Sequence, residues 1–161
     1  MLLGLLSVII IMVAVLANQT RKTASEQRIY DMVNSINHKN WEEYVSYASE
    51  DTYDTDKRYF TNEENEKNHL GLFNVKSVEM DEIYPVELEK AAAYTGYDIA
   101  GKPSEFAAYF VCWNCSVHQD AKYFKNGENY FFILLRNENN EWKRVQFSGA
   151  DPEWLGDAKK A

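Results

Sequence analysis

The sequence predicts an α+β fold in which N-terminal helices pack on one face of a curved, mostly antiparallel sheet. Helical spacing of apolar residues is confined to the part of the chain before residue 70. Two long strand-like runs, residues 105–119 and 128–149, follow in the second half. An asparagine-rich stretch inside the second run indicates a tight turn, so its two halves pair as antiparallel neighbours. Helices followed by a run of strands are typical of the α+β class.

The length of 161 residues leaves room for one ordinary domain behind an N-terminal apolar segment. We predict a signal peptide or membrane anchor over residues 1–17, a polar linker over 18–24, the α+β domain over 25–150 and a C-terminal tail over 151–161. The hydrophobic fraction of 45% is a globular value and is sufficient for a core.

The N-terminal segment, Leu2 to Ala17, is an apolar run slightly shorter than the about 20 residues that span a bilayer. Small residues at its end favour signal-peptidase cleavage, which would secrete the domain, but no basic residue precedes the run. Arg21, Lys22 and Arg28 follow it, and by the positive-inside rule they favour a cytoplasmic domain. The segment thus predicts a protein of the cell membrane, and its two signals disagree on the side.

Three helices are predicted before residue 72. Thr23 and Glu26 have capping-box spacing, and the apolar stripe that follows repeats at helical intervals. Asn40 is the cap of a second helix that begins at Trp41, and a short polar helix follows Asn62 and stops near Gly71. Between the second and third helices, residues 50–56 are acidic and polar, which predicts a solvated loop.

The first strand is predicted over residues 74–88. One face would carry the apolar side chains and the other the polar ones, and Pro85 places the strand at an edge or at a bulge. The apolar set is Val78, Met80, Tyr84, Val86 and Leu88. A helical turn or connection follows over residues 89–102.

The long strands alternate clearly. Tyr109, Val111, Trp113, Cys115 and Val117 share one face of the first, opposite Phe110 and Cys112. The next run, residues 130–135, is apolar on both faces, so this strand is either covered on both sides or lies against a partner, and we expect it to be central in the sheet.

Charge excludes one class of partner. The net charge is −8, and every charged residue lies after Ala17. The domain would therefore be repelled by nucleic acid, and we expect no nucleic-acid partner.

Cys112 and Cys115 have the C-x-x-C spacing, with His118 three residues further on. On an extended strand the two cysteines lie on opposite faces about 10 Å apart, at ~3.3 Å per residue, which is beyond the ~7 Å reach of a disulfide. Zinc would need a knuckle turn and a fourth ligand from His69 or His38, which are in other elements. We expect neither a redox site nor a metal, and a small core residue at Cys115.

The segments 64–78, 123–127 and 142–145 resemble an uncharacterised family of Gram-positive extracytoplasmic proteins that is itself similar to the nuclear transport factor 2-like cone. The resemblance covers nearly all of the chain after the apolar run. It implies a cone-shaped α+β fold and a cell-envelope location, and its motifs carry no catalytic residues. The chain departs from the expected export pattern by lacking a basic n-region and a lipidation cysteine.

A cone of this kind encloses a pocket between the helices and the sheet. Candidate ligand-pocket residues are Trp41, Tyr109, Trp113 and Tyr130, although aromatic residues at strand spacing are more often plain core. Asp98, Asp120 and His69 are the only acid–base groups near apolar sequence, but each lies beside loop or helix-end signals, and no pair has diagnostic spacing. We therefore assign no catalytic residue and no cofactor.

The function predicted on these grounds is a membrane-associated, extracytoplasmic, non-catalytic domain that binds a protein or a small ligand. The membrane contact is through residues 2–17, and the sheet allows a homodimer. The alternative is a small-molecule isomerase or dehydratase that uses the cone pocket. A buried carboxylate facing a tyrosine in a solvent-reachable cavity would favour the enzyme, and a cavity filled by aromatic side chains would favour the binding module.

Overall fold

The computed structural model describes residues 22–160 and confirms the α+β class. The six helices among these residues are α1 Ala24–Asn37, α2 Trp41–Ser46, α3 Glu50–Phe60, α4 Glu63–Lys67, α5 Leu88–Thr95 and α6 Trp154–Ala158. The strands are β1 Val75–Pro85, β2 Phe106–Val117, β3 Gly127–Glu138 and β4 Glu141–Gly149. They form one antiparallel sheet in the order β1-β2-β3-β4. Single 3-10 turns, Gly71–Asn74 and Pro103–Glu105, lead into β1 and β2.

The segment Leu2–Ala17 lies outside the described residues. From residue 22 to residue 160, no helix is long and apolar enough to cross a bilayer.

Local capping explains where α1 and α2 begin. Thr23 and Glu26 form the predicted capping box. The Thr23 hydroxyl accepts from the Glu26 amide, and the Glu26 carboxylate accepts from the Thr23 amide. The Asn40 side chain accepts from the amide of Glu43 and caps α2.

The prediction of a loop over residues 50–56 is wrong, because these residues begin α3. The Ser49 carbonyl accepts from the amides of Thr52 and Tyr53 and closes the first turn. Glu50 and Asp51 stand in the first turn and Lys57 and Arg58 in the last, an arrangement that complements the helix dipole. The acidic residues that indicated a loop thus belong to the N-terminal part of a helix.

The single apolar face predicted for the first strand is also wrong. The register of β1 against β2 shifts between Met80 and Glu82, so Asp81 is an extra residue. Met80 packs in the cluster that holds α1, whereas Tyr84, Val86 and Leu88 pack on the opposite side of the sheet. The strand ends at Pro85, and its edge position in the sheet confirms the interpretation of that proline.

The sheet is covered on both faces rather than one. On one face, α1 and α2 pack against the β2 side chains from Tyr109 to Val117 that were predicted to share a face, and against Phe131, Ile133 and Leu135. On the opposite face, α5 and α6 cover Phe110, Phe132 and Leu134. Both predicted alternations are confirmed, and the double-sided β3 explains why a second helical layer is needed. The second layer includes α6, which is formed by residues predicted as a tail.

The turn between β3 and β4 follows the prediction. Asn139 and Asn140 have φ values of 55° and 67° and join two strands that pair in continuous register beside the turn. Two consecutive left-handed residues define the type I′ turn that suits a twisted hairpin.

Candidate functional site

A cavity of about 620 Å³ opens between α3, the 3-10 turn at Gly71 and the outer edge of β4. Its volume lies in the range of ligand pockets. The aromatic part of its wall consists of Tyr44, Tyr59, Phe60, Tyr123, Phe124, Phe131 and Phe147. The polar part includes Thr52, Asp56 and Arg144.

Arg144 is the charged centre of this wall and is only 8% exposed. Its Nη2 donates to the carboxylate of Asp56, and its guanidinium carbon lies 4.8 Å from the centre of the Tyr44 ring. The residue is positioned through its backbone, since its amide donates to the Tyr47 carbonyl at 2.6 Å and its carbonyl accepts from the Ser49 amide at 3.0 Å. The link between α2 and α3 therefore fixes Arg144 beside the cavity.

Two donors in this wall have no hydrogen-bond partner among the described residues. They are the Nε of Arg144 and the hydroxyl of Tyr44, and Tyr44 is only 1% exposed. Burial raises the pKa of Tyr44, with Arg144 opposing and Asp56 adding to the shift, so the phenol keeps its proton near neutral pH. Buried donors are nearly always paired in folded proteins, so these two unpaired donors are the feature of the wall that a ligand acceptor would satisfy.

Gly71 shapes the opposite rim. It has a φ of +51°, and a Cβ added there would lie 2.5 Å from the hydroxyl of Tyr59. A side chain at this position would be strained and would displace Tyr59, so the narrow approach of the turn to α3 depends on glycine.

The structure does not bring the four predicted pocket residues together, and none of them lines the cavity. Trp41 stacks on Phe60 at 5.2 Å, and the fully buried Trp113 packs on Phe131 and Phe147. Both therefore stand behind the cavity wall.

Tyr109 and Tyr130 are also absent from the cavity wall. The hydroxyl of Tyr109 pairs with Ser25 Oγ at 2.7 Å and holds the start of α1. Tyr130 lies on the opposite face of the sheet, where it donates to Glu128 at 2.6 Å. The alternation itself, which puts Tyr130 beside Phe132 and away from Phe131, could have shown this from the sequence.

The acid–base candidates also lie away from the cavity. Asp98 is exposed, and Asp120 accepts from the amide of Asn126 at 2.8 Å, which orders a loop. His69 stacks on His118 with ring centres 3.8 Å apart and planes 6° from parallel. Sequence analysis missed Tyr44, Asp56 and Arg144, because Asp56 had been placed in a loop and the pairing of α3 with β4 spans nearly 90 residues.

Cys112 and Cys115 are both free and buried, and they lie on opposite faces as the alternation predicted. Within residues 22–160, one group could offer three metal ligands, namely Asp81, Cys112 and Glu128, whose ligand atoms lie within 4.8 Å of one another. Burial and then the charges of Glu128 and Asp81 raise the pKa of Cys112 to about 11, so the thiol is protonated at neutral pH. Both carboxylates are exposed. We assign no metal to this group.

Comparisons with known proteins found no family model, no curated protein and no solved structure that matches the chain. The resemblance to the Gram-positive family and to the nuclear transport factor 2-like cone therefore stays a prediction.

Proposed function

We propose that this protein is a non-catalytic binding domain whose ligand occupies the cavity between α3 and β4. The observation that carries the proposal is the pair of buried, unpaired donors, Arg144 Nε and Tyr44 Oη, in an aromatic wall. Leaving such donors unpaired costs stability, which a ligand acceptor would recover on binding. Asp56 already neutralises Arg144, so a neutral carbonyl oxygen suits the site as well as a carboxylate.

The proposed ligand chemistry is thus a flat apolar body that bears an oxygen acceptor. Saturation-transfer NMR on the full-length chain can test it with phenylacetate and acetophenone, and with benzylamine as the control that offers a donor in place of an acceptor. We expect signals from the first two, several-fold weaker with Tyr44→Phe, and none from benzylamine. Equal signals from all three probes, or none from any, would contradict the proposal.

The enzyme alternative is favoured by one observation, which is that the Asp56 carboxylate and the Tyr44 phenol line the same open cavity. The ion pair to Arg144 weighs against it, because the Asp56 carboxylate is already engaged by the guanidinium. Proton abstraction beside a carbonyl would exchange the methyl protons of acetophenone for deuterium in heavy water. Exchange faster than in buffer, and lost with Asp56→Asn, would favour the isomerase-type enzyme over the binding domain.

We further propose that the domain has the nuclear transport factor 2-like cone shape and is held at the cell membrane by residues 2–17, on the outer side. The support is the apolar run and the family resemblance, while Arg21, Lys22 and Arg28 argue for the inner side. Protease added to intact cells stripped of their wall tests the location. We expect degradation of the domain, and protection until the membrane is permeabilised would overturn the placement.

A further inference from the structure

The outer edge of β4 borders the cavity along its whole second half. Val145, Gln146, Phe147, Ser148 and Gly149 all line the cavity wall. Alternate residues of an antiparallel strand direct their backbone groups to opposite sides. The Ala150 amide donates inward to the Tyr130 carbonyl, so the backbone groups of Ser148 also face β3, and those of Phe147 and Gly149 face outward. Between residues 22 and 160, no backbone group pairs with these two.

The first part of the same edge is already used as a pairing surface. Arg144 forms a parallel bridge with Ala48, in which its amide and carbonyl bond Tyr47 and Ser49. Beyond Ser49 the chain turns into α3, and no other described residue pairs with the backbone of the rest of this outer edge. A segment that continued this ladder would lie in the cavity, between β4 and α3.

The other edge of the sheet is protected, which makes the open edge of β4 distinctive. On β1, the Asn37 side chain bonds both the amide and the carbonyl of Val78, and Lys39 Nζ bonds the carbonyls of Val75 and Lys76. The rest of β1 carries Glu79, Asp81, Glu82 and Pro85. Capping side chains, charges and proline are the usual devices against edge pairing. Residues 145–149 include no charge and no proline.

We infer that the cavity binds an extended polypeptide segment of a partner, which pairs with Phe147 and Gly149 as an added strand. This inference rests on the proposed function and names its ligand class. The backbone amides and carbonyls of the segment pair with the outward backbone groups of the edge. One further carbonyl of the segment accepts from Tyr44 and Arg144. One of its apolar side chains packs against the aromatic wall. Pairing of the β4 edges of two copies does not fit, because the second β4 would bring its β3 into the space held by α3 and Gly71.

The experiment uses the full-length chain and a phage-displayed library of random heptapeptides. The tightest selected peptide is then resynthesised with single N-methyl groups at successive amides, which removes one backbone donor at a time without altering the protein. We expect affinity to fall about tenfold or more at every second amide and to change little at the amides between. Selection of no peptide, or an N-methyl scan without this period of two, would overturn the inference.

Two protein variants give an independent measurement. Gly149→Pro removes an outward amide, and Gly149→Ala keeps it, since a Cβ at this position meets no atom within 4 Å. We expect about tenfold weaker peptide binding for Gly149→Pro and wild-type binding for Gly149→Ala. Amide exchange at Phe147 and Gly149 is expected to be fast in the free protein and slow with peptide. Slow exchange without peptide would show an edge already occupied and would overturn the inference.

The phenylacetate assay separates the two proposals. If phenylacetate binds through Tyr44 and no peptide does, the proposed function stands and the strand addition fails. If neither binds, the proposed function fails as well.

Discussion

The hydroxyl of Tyr44 allows a direct test of the site, because removing it should stabilise the protein and weaken ligand binding together. The hydroxyl is buried and has no partner among residues 22–160. A buried unsatisfied polar group costs about 1–3 kcal/mol. The phenylalanine ring retains the contact with the Arg144 guanidinium, which the structure places 4.8 Å from the ring centre. We therefore expect Tyr44→Phe to raise the free energy of unfolding by about 1 kcal/mol.

Urea unfolding followed by circular dichroism measures this change, and a thermal melt should show a midpoint about 3 °C higher for a domain of this size. Tyr109→Phe is the matched control, because Tyr109 is also buried but its hydroxyl is bonded to Ser25 at 2.7 Å. We expect that control to lose about 1 kcal/mol. A loss of 1 kcal/mol or more with Tyr44→Phe would mean that its hydroxyl is satisfied in the folded state and would remove the main argument for the site.

Three further predictions follow from packing and charge. Trp113→Ala is expected to lower the free energy of unfolding by about 3–5 kcal/mol, because the side chain is fully buried, and a loss below about 1 kcal/mol in urea unfolding would contradict this. Desolvation, then repulsion from His69, Lys76 and Lys39, lowers the pKa of His118 below its ordinary 6.5. The unfolded chain therefore takes up a proton below pH 6.5 that the folded chain does not, so stability falls on acidification, and His118→Asn should lose less stability between pH 7.5 and 5.5 than the wild type. Cys112 and Cys115 should stay unpaired, and a two-dalton deficit in a non-reduced peptide holding both would refute their placement on opposite faces.

The sequence was informative where one local rule decided the structure. The Thr23 capping box, the Asn139–Asn140 turn and the alternation of β2 and β3 each depend on residues within a few positions of one another, and all three are confirmed. Period-two alternation was sufficient to identify these two strands and to show that β3 is apolar on both faces.

The failures have a common physical cause, which is that a distant contact or a single extra residue changed the meaning of a local pattern. The acidic stretch after Ser49 was predicted to be a solvated loop. It is a helix whose Asp56 pairs with Arg144, a residue 88 positions away in the sequence. The β1 pattern predicted a single apolar face. The bulge at Asp81 reverses the side of the sheet to which the residues after it point. The site combines both difficulties, since no property of Tyr44 within its own helix shows that its hydroxyl lacks a partner.

The spatial order of the strands, which repeats their order along the chain, has a kinetic consequence. Every strand pairs only with its sequence neighbour, so no pairing must wait for a remote segment to return, and folding should be fast for a sheet protein. The hairpin of β3 and β4 closes through two residues, whereas β1 joins β2 only after residues 86–105 close a much longer loop. We expect the hairpin to form first and β1 to dock last. Substitutions in the hairpin would then slow folding, and substitutions in β1 would mainly accelerate unfolding.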